Sequence, residues 1–477
     1  MGKKKPAKGK GGFKEQLWTL LLEAVSRDNV LPLTSSCNLR CLFCSHLQNP
    51  PGVQTFSFAP LSEDWLKELI PLLDGSRKII IGESSTRLCE GEPFTHPFFF
   101  EILKEIRRRF PRTPLQITTN GTCLTAEKVG KLASLNRPEQ GAGIELIISL
   151  NSASLAQRSR IMGDPHPENV LRSLSLCREN GLSFHGSVVA LPHLCGWEDL
   201  KETLYFLEEE GAMTTRVFLP GYTAYAHPSL RFAPSLWEEL DTFLAGIREK
   251  IEHPLTLEPP VKKDLLAKVE GVIGSSPARE AGIKRGDLIV AVNGKKVVSG
   301  TDAFYRIQSA ADPLVSINRP GRNEEVPLHA GDLAFRISKK AGRSSGLVFN
   351  ADLHPRLFTE VRKAAAKGRG RPVLLLTSRV AAPLWEAAGR KGLLPEAIRI
   401  SPVENLFFGG SICCAGLLTV ADLRAHLEEV ASGYGYPAEP LHVLVPLASF
   451  DRRGFDLCGE HYQGLDSHFP YFTFSFL

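Results

Sequence analysis

Between residue 28 and about residue 250 the chain alternates short, β-rich apolar runs with longer segments whose leucines recur at helical spacing. Strands covered by helices are apolar almost without interruption, whereas crossover helices are apolar on one stripe, so this alternation is the pattern of βα units around a parallel sheet. Six strands are predicted, at about 30–35, 78–82, 115–119, 144–150, 184–191 and 215–220. Amphipathic helices are predicted at about 61–73, 96–110, 125–135, 166–181, 197–211 and 234–250, with Ser62 and Thr125 as polar helix starts. Six repeats imply a partial (βα)6 TIM-type barrel, an α/β fold in which function gathers on the loops leaving the C-terminal strand ends.

The alternation stops at His253–Pro260, HPLTLEPP, which reads as a proline-containing linker. A small β-rich unit is expected at 262–335, where GVIGSSPAREAGIKRGDLIVAVNGKKV sets turn residues between short apolar strands and VSINRPGRNEEVPL predicts a hairpin. A C-terminal α/β unit is expected at 345–477, with buried-strand signals at 373–379 and 442–448 and helices at about 355–367 and 419–432. The barrel is then expected to occupy 15–255, preceded by a disordered basic tail at 1–14.

Composition supports several cores. At 477 residues the chain exceeds what one hydrophobic interior usually sustains, and 43% hydrophobic with 23% charged residues is ordinary for globular domains. No apolar stretch is long enough for a bilayer and the lysines at the start precede no apolar core, so a cytoplasmic location without membrane contact is expected. The net charge of +5 suggests nucleic acid until it is located. Six lysines and no acid fall within residues 1–14, so the rest of the chain carries the difference between +5 and +6, a net −1. A nucleic-acid footprint should extend over the folded surface, and a neutral body argues against it, and against RNA modification aided by the tail.

The ten cysteines change the picture more. Cys37, Cys41 and Cys44 fall within eight residues, directly after the first predicted strand. Cytosolic thiols are kept reduced, so such a group points to metal chemistry before disulfides. Cysteine-ligated [4Fe–4S] clusters normally use four thiolates, so three leave one iron open for a ligand from outside the protein. The alternatives are a structural zinc site completed by His46 or a distant cysteine, or three unrelated thiols; no second cysteine pair of the usual zinc spacing follows. Cys123 and Cys195 are further thiols that an auxiliary cluster would use, and Cys413–Cys414 are adjacent on an expected strand, where they would face opposite ways.

CNLRCLFC, with Phe43 before the third cysteine, resembles the signature loop of the radical S-adenosylmethionine (SAM) superfamily. The resemblance implies that Cys37, Cys41 and Cys44 hold a [4Fe–4S] cluster and that the open iron takes the amino and carboxylate groups of S-adenosyl-L-methionine, with the backbone near Phe43 meeting the adenine. Reductive cleavage would then give a 5′-deoxyadenosyl radical, fed by a low-potential electron donor such as flavodoxin or ferredoxin. Gly91, Glu92 and Pro93 resemble the superfamily's Gly-Gly-Glu-Pro motif, with Glu90 in place of the first glycine; Gly82-Glu83 is a second candidate for the methionyl amine. Thr118-Thr119-Asn120-Gly121 and Ser149-Leu150-Asn151-Ser152 stand at the third and fourth strand ends, where family members carry Thr-Asn-Gly and a polar residue against the ribose. His185, His193, Tyr222 and Tyr225, beside the fifth and sixth strands, are candidates for substrate contact or for simple packing.

Ser276-Pro277-Ala278, Ala281-Gly282, Gly286-Asp287 and Val292-Asn293-Gly294 resemble a bacterial PDZ domain, which implies either capture of an extended peptide or a packing module, and makes a peptide or protein one candidate substrate. NLFFGGSICCAGLLTVADLRAHL, from Asn405 to Leu427, resembles an uncharacterised bacterial domain, domain-of-unknown-function family 512, which is found joined to radical SAM and PDZ-like modules. The competing reading is an iron–sulfur or zinc protein that recruits partners through these two units.

Overall fold

The structure is a computed structural model that describes residues 10–85, 87–319, 333–339, 344–433 and 441–477. By internal contacts the chain divides into two units, one of residues 1–46, 54–188 and 202–212, the other of residues 47–53, 189–201 and 213–477. Of the expected basic tail, residues 1–9 lie outside the described residues, while residues 10–14 open helix α1 (Lys10–Glu23).

Seven parallel strands form one sheet in chain order: β1 (Val30–Leu31), β2 (Ile79–Ile81), β3 (Leu115–Thr119), β4 (Ile144–Ser149), β5 (Ser183–Val189), β6 (Thr215–Phe218) and β7 (Leu255–Glu258). The seventh replaces the expected linker. Leu255 and Leu257 are buried and the strand pairs in register with β6, so the prolines around LTLE frame a strand instead of breaking it. The first predicted strand is shorter than expected, because the chain leaves β1 at Leu31 to begin the cysteine-bearing loop.

The helices follow from spacing and caps. In α2 (Glu63–Leu69) the Ser62 hydroxyl accepts from the Trp65 amide, and in α4 (Ala126–Leu135) Thr125 accepts from Lys128, as the sequence predicts. Between them, α3 (Phe99–Arg109) buries Phe99, Ile102, Leu103 and Ile106 at i, i+3, i+4 and i+7 and carries three arginines in its last turn, favourable against the helix dipole. Helix α5 (Leu155–Met162) is not among the predicted elements; Ser154 caps its start and Gly163, at φ 61°, ends it. Helices α6 (Glu168–Glu179), α7 (Pro192–Cys195), α8 (Trp197–Glu209) and α9 (Leu236–Arg248) complete this part of the chain.

In the β-rich unit β8 (Gly271–Val272) is followed by α10 (Pro277–Glu280), β9 (Leu288–Val292), β10 (Lys295–Lys296), α11 (Gly300–Ser309), β11 (Leu314–Asn318), β12 (Leu333–Arg336) and β13 (Leu347–Val348). Its main sheet runs β10-β9-β11-β12, and β8 pairs antiparallel with β13. The expected hairpin turns within residues that lie outside the described ones; β11 pairs antiparallel with β12 beyond them.

The C-terminal unit is a three-layer α/β/α domain. It comprises α12 (Pro355–Ala366), β14 (Val373–Ser378), α13 (Ala382–Arg390), β15 (Ile398–Val403), α14 (Val420–Gly433), β16 (His442–Val445), α15 (Gly464–His468) and β17 (Thr473–Phe476). Its parallel sheet has the order β15-β14-β16-β17. Successive residues of β14 face opposite ways: Val373 and Leu375 pack with Phe358 and Trp385, Leu374 and Leu376 with Leu423 and Leu427. All six residues of β14 are buried, which is why this strand reads as a continuous apolar run.

Candidate functional site

The cysteine loop leaves β1 and is held from below by backbone. The Arg40 and Leu42 amides donate to the Met162 and Ile161 carbonyls at the end of α5, at 3.0 and 2.8 Å, and the Cys44 amide closes a turn onto the Cys41 carbonyl at 3.0 Å. The Gly91 amide donates to Thr34 O at 2.7 Å and the Glu92 amide to Ser36 O at 2.8 Å. Gly91 has no room for a side chain, since a Cβ there would overlap the Ser36 carbonyl. Gly82, at φ +81°, is likewise pressed on Thr118 O at the end of β3.

Cys37 is exposed and Cys41 and Cys44 are half-buried. Burial pushes the Cys41 thiol up to about 12, with repulsion from Cys37 and Cys44 adding to it and the Arg158 charge opposing. Desolvation, Glu92 and Cys44 raise Cys37, while the Leu39 amide, 3.5 Å from its Sγ, and Asn120 lower it. The three thiols thus sense one another, and all are soft donors of the type that iron–sulfur clusters take. This is the fit that the chain offers to a cluster; among the described residues no three His, Cys, Asp or Glu side chains gather tightly enough to hold a single metal ion. Cys123 is brought into the same field: burial raises its pKa first, then Glu92, and Cys37 adds to it. Cys413 and Cys414, by contrast, lie on no strand; they stand in extended chain before a short helical turn at Ala415–Leu417.

Glu92 is buried, and each of its oxygens is occupied. Oε1 accepts from Thr119 Oγ1 at 2.7 Å and from the Phe94 amide at 3.3 Å, and Oε2 accepts from the Asn120 amide at 2.8 Å. Burial raises its pKa and these donors oppose the rise. Asn120 extends the network, its Nδ2 donating to Asn38 Oδ1 at 2.8 Å within the cysteine loop. Pro93 follows Glu92 into a single helical turn, Pro93–Thr95, and its Cγ is the side-chain neighbour of Gly82. Glu83 is half-buried, Oε1 accepting from Gln116 Nε2 at 2.8 Å and Thr118 Oγ1 at 3.2 Å. Glu90 turns inward, its Oε1 accepting from the Leu33 amide at 3.1 Å; desolvation raises its pKa to about 8 against the pull of the Leu33 and Thr34 amides. Phe43 is half-buried within the loop.

Ser149 and Asn151 end β4. Asn151 adopts φ +62°, a conformation that Asn tolerates, and is buried with its Nδ2 3.3 Å from Met162 Sδ. The residue that ties these strand ends together is one that sequence reasoning missed. Arg158, on α5, donates to Ser149 O, Leu150 O, Asn120 O and Asp164, and Thr122 Oγ1 donates to the same Asp164 at 2.7 Å. The available signal was the pair of cap residues around α5, which would have placed Arg158 on a helix facing β4. Around the later strand ends, Tyr222 and His193 each pack on Phe232, with ring centroids 5.0 and 5.7 Å away, while Tyr225 is exposed.

Residues 31–207 match the Radical SAM superfamily and residues 268–318 a PDZ domain. Among curated proteins the chain is 29% identical over 190 residues to GTP 3′,8-cyclase 2 of Mycobacterium bovis, covering 39% of this chain and 48% of that one. It is 32% identical over 137 residues to the tungsten-containing aldehyde ferredoxin oxidoreductase cofactor-modifying protein of Pyrococcus furiosus, covering 28% and 33%. The chain spans about half the length, or less, of these curated relatives. Among solved structures, Streptococcus suis SuiB bound to S-adenosylmethionine aligns with a TM-score of 0.37 at 16% identity, covering 48% of this chain and 49% of that one. Among the described residues no helix is long and apolar enough to cross a membrane.

Proposed function

From the premise that residues 31–207 are a radical SAM domain and residues 268–318 a PDZ domain, we propose that the chain is a radical SAM enzyme that holds a [4Fe–4S] cluster on Cys37, Cys41 and Cys44. The observation that carries this reading is the placement of three thiols on one short loop after β1, its backbone tied to α5, to Gly91 and to Glu92, with Asn120 bonded both to Glu92 and to Asn38 within the loop. When bound, the cluster supplies the electron that cleaves S-adenosyl-L-methionine to a 5′-deoxyadenosyl radical. The chain's own residues bind and orient. The cysteine loop is fixed by amides to α5 and by Gly91 and Glu92 at its base, so the backbone that carries the three thiols is held in place. The Glu83 carboxylate, with an oxygen beyond those bonded to Gln116 and Thr118, is suited to a charge-assisted bond with the methionyl ammonium, and Glu92 shapes the same region by fixing Asn120. Asn151 and Ser149, at the β4 end, are suited to the ribose, and the chain at Phe43 to the adenine. A low-potential donor such as flavodoxin or ferredoxin would deliver the electron.

For the substrate we favour a peptide or protein. The PDZ domain supports this, because that fold captures extended chain at a sheet edge. The test is anaerobic reconstitution with iron and sulfide, reduction, and addition of S-adenosylmethionine, followed by chromatography for 5′-deoxyadenosine. Formation of 5′-deoxyadenosine, lost together with bound iron in Cys41→Ala, supports the reading. A fully loaded cluster that yields none, or a protein that retains zinc and no iron, overturns it.

A further inference from the structure

We infer that the Asn405–Ser411 loop of the C-terminal α/β unit is a positioning element for the loop that leaves β6 and, through Gln48, for the chain that leaves the cysteine loop. The inference rests on the reading of Cys37, Cys41 and Cys44 as cluster ligands.

The loop is built to keep one shape. Asp422 accepts from the Leu406 and Phe407 amides with Oδ1 and from the Thr419 amide and hydroxyl with Oδ2, all between 2.8 and 2.9 Å. Asn405 accepts from the Phe408 amide at 2.9 Å and donates to Leu417 O at 2.7 Å. Four donors on one buried carboxylate fix the backbone of 405–408 as a rigid turn.

What that turn presents is a surface for residues 220–224. Ser411 Oγ donates to Pro220 O and accepts from the Tyr222 amide, each at 2.9 Å, and the Ser411 amide donates to Tyr222 O at 2.9 Å. The Ala224 amide donates to Phe408 O at 2.8 Å. Gly410, at φ +64°, lies against the Tyr222 carbonyl with no space for a Cβ, and a Cβ on Gly409 would stand 3.3 Å from that of Ala224. The Gly-Gly pair therefore serves a close approach of two backbones as well as a turn.

The same β6 loop is fastened on a second side. Gln48 Nε2 donates to Gly221 O at 3.1 Å, the Thr223 amide donates to Gln48 Oε1 at 2.9 Å, and the Thr223 hydroxyl donates to Gln48 O at 2.5 Å. Gln48 and Thr223 are both buried. Gln48 stands four residues after Cys44, and residues 47–53 group by contact with the second unit although they follow the cysteine loop directly. Hydrogen bonds joined by short stretches of chain therefore link Asp422, through Ser411 and Thr223, to Gln48, four residues beyond the third cysteine. Asn405, Gly409, Gly410 and Ser411 are thus all used in contacts within the chain.

The full-length protein carrying Ser411→Ala tests this, with Ser411→Thr as the conservative control and Gln48→Ala acting on the path from its other end. Hydrogen exchange of the apo-protein should quicken by about tenfold in both 219–225 and 47–53 when these side-chain hydrogen bonds are removed. In the reconstituted protein the electron paramagnetic resonance change that S-adenosylmethionine induces in the reduced cluster should be altered in Ser411→Ala and Gln48→Ala and restored in Ser411→Thr. Exchange confined to 405–411, or an unaltered resonance response in both variants, overturns the inference. If Ser411→Ala does not fold, Gln48→Ala alone decides. A wild-type protein that takes no cluster refutes the proposed function, whereas the exchange result still reads out the hydrogen-bonded path.

Discussion

Arg158 Nε lies 2.8 Å from Asp164 Oδ2, and the two side chains are 1% and 0% exposed. A buried pair of this kind persists when its remaining donors are also satisfied, and the other Arg158 nitrogens meet carbonyls at the ends of β3 and β4. Desolvation lowers the Arg158 pKa and the Asp164 bond offsets it. Arg158→Ala would strand a buried carboxylate and three carbonyls, so it should reduce stability by about 3–5 kcal/mol in urea unfolding. Arg158→Lys should recover little, because an ammonium cannot span three strand-end carbonyls and a carboxylate at once.

Gly91→Ala should lower both stability and iron uptake. Its Cβ has to displace the Ser36 backbone just before Cys37, and backbone has no rotamer to yield. About 2 kcal/mol or more of stability should be lost in thermal unfolding, with iron content after reconstitution falling in parallel. Normal iron content in a folded variant would remove the geometric link between this glycine and the cysteine loop.

The two acids at the strand ends should separate by readout. Glu92→Gln replaces one acceptor oxygen with an amide that opposes the Thr119 or Asn120 donor, so stability should drop by about 1–3 kcal/mol. Glu83→Gln, whose partners are half-exposed, should leave unfolding nearly unchanged and weaken S-adenosylmethionine binding by roughly tenfold, in keeping with one charge-assisted bond. Equilibrium dialysis with labelled S-adenosylmethionine measures the second effect; unaltered affinity would transfer the ammonium to another group.

Glu90 predicts a pH dependence. Its carboxyl titrates near 4.5 when unfolded and at about 8 when folded, with the Leu33 and Thr34 amides and Glu92 as its polar surroundings. Between those values the folded state holds a proton that the unfolded state has released, so its contribution is complete below 4.5 and disappears as pH rises through 8. The slope is at most about 1.4 kcal/mol per pH unit. Glu90→Gln should therefore resemble wild type at pH 5 and melt at a higher temperature than wild type at pH 8. Identical pH slopes for the two proteins would contradict this.

The parts of the fold legible in the sequence are those that each segment determines by itself. IELIIS alternates buried and half-buried positions at the two-residue period of any strand, and the Ser62 and Thr125 caps act on residues three positions away. Strand β7 was not legible, because the prolines flanking LTLE outweigh four residues whose strand character depends on pairing with β6. Helix α5 was hidden by a weak apolar stripe, and Arg158 with it, since an isolated arginine reads as surface until Asp164 and the strand ends come together. At the site, the cysteine spacing was local and readable. The anchoring of Glu92 by Thr119 and Asn120 joins residues 27 and 28 positions apart, and nothing in either segment alone announces it.

The strict chain order of the seven-stranded sheet bears on how the protein is made. Each strand, as it emerges from the ribosome, finds its partner already outside, so the sheet can grow by addition at one edge while synthesis continues. The C-terminal sheet is different: β14 lies between β15 and β16, so its second edge stays open until residues 442–445 have emerged, and β17 adds to β16 only after them. Nascent chains arrested near residue 260 should already resist protease across the first strands, whereas those arrested near residue 440 should still be cut within β14.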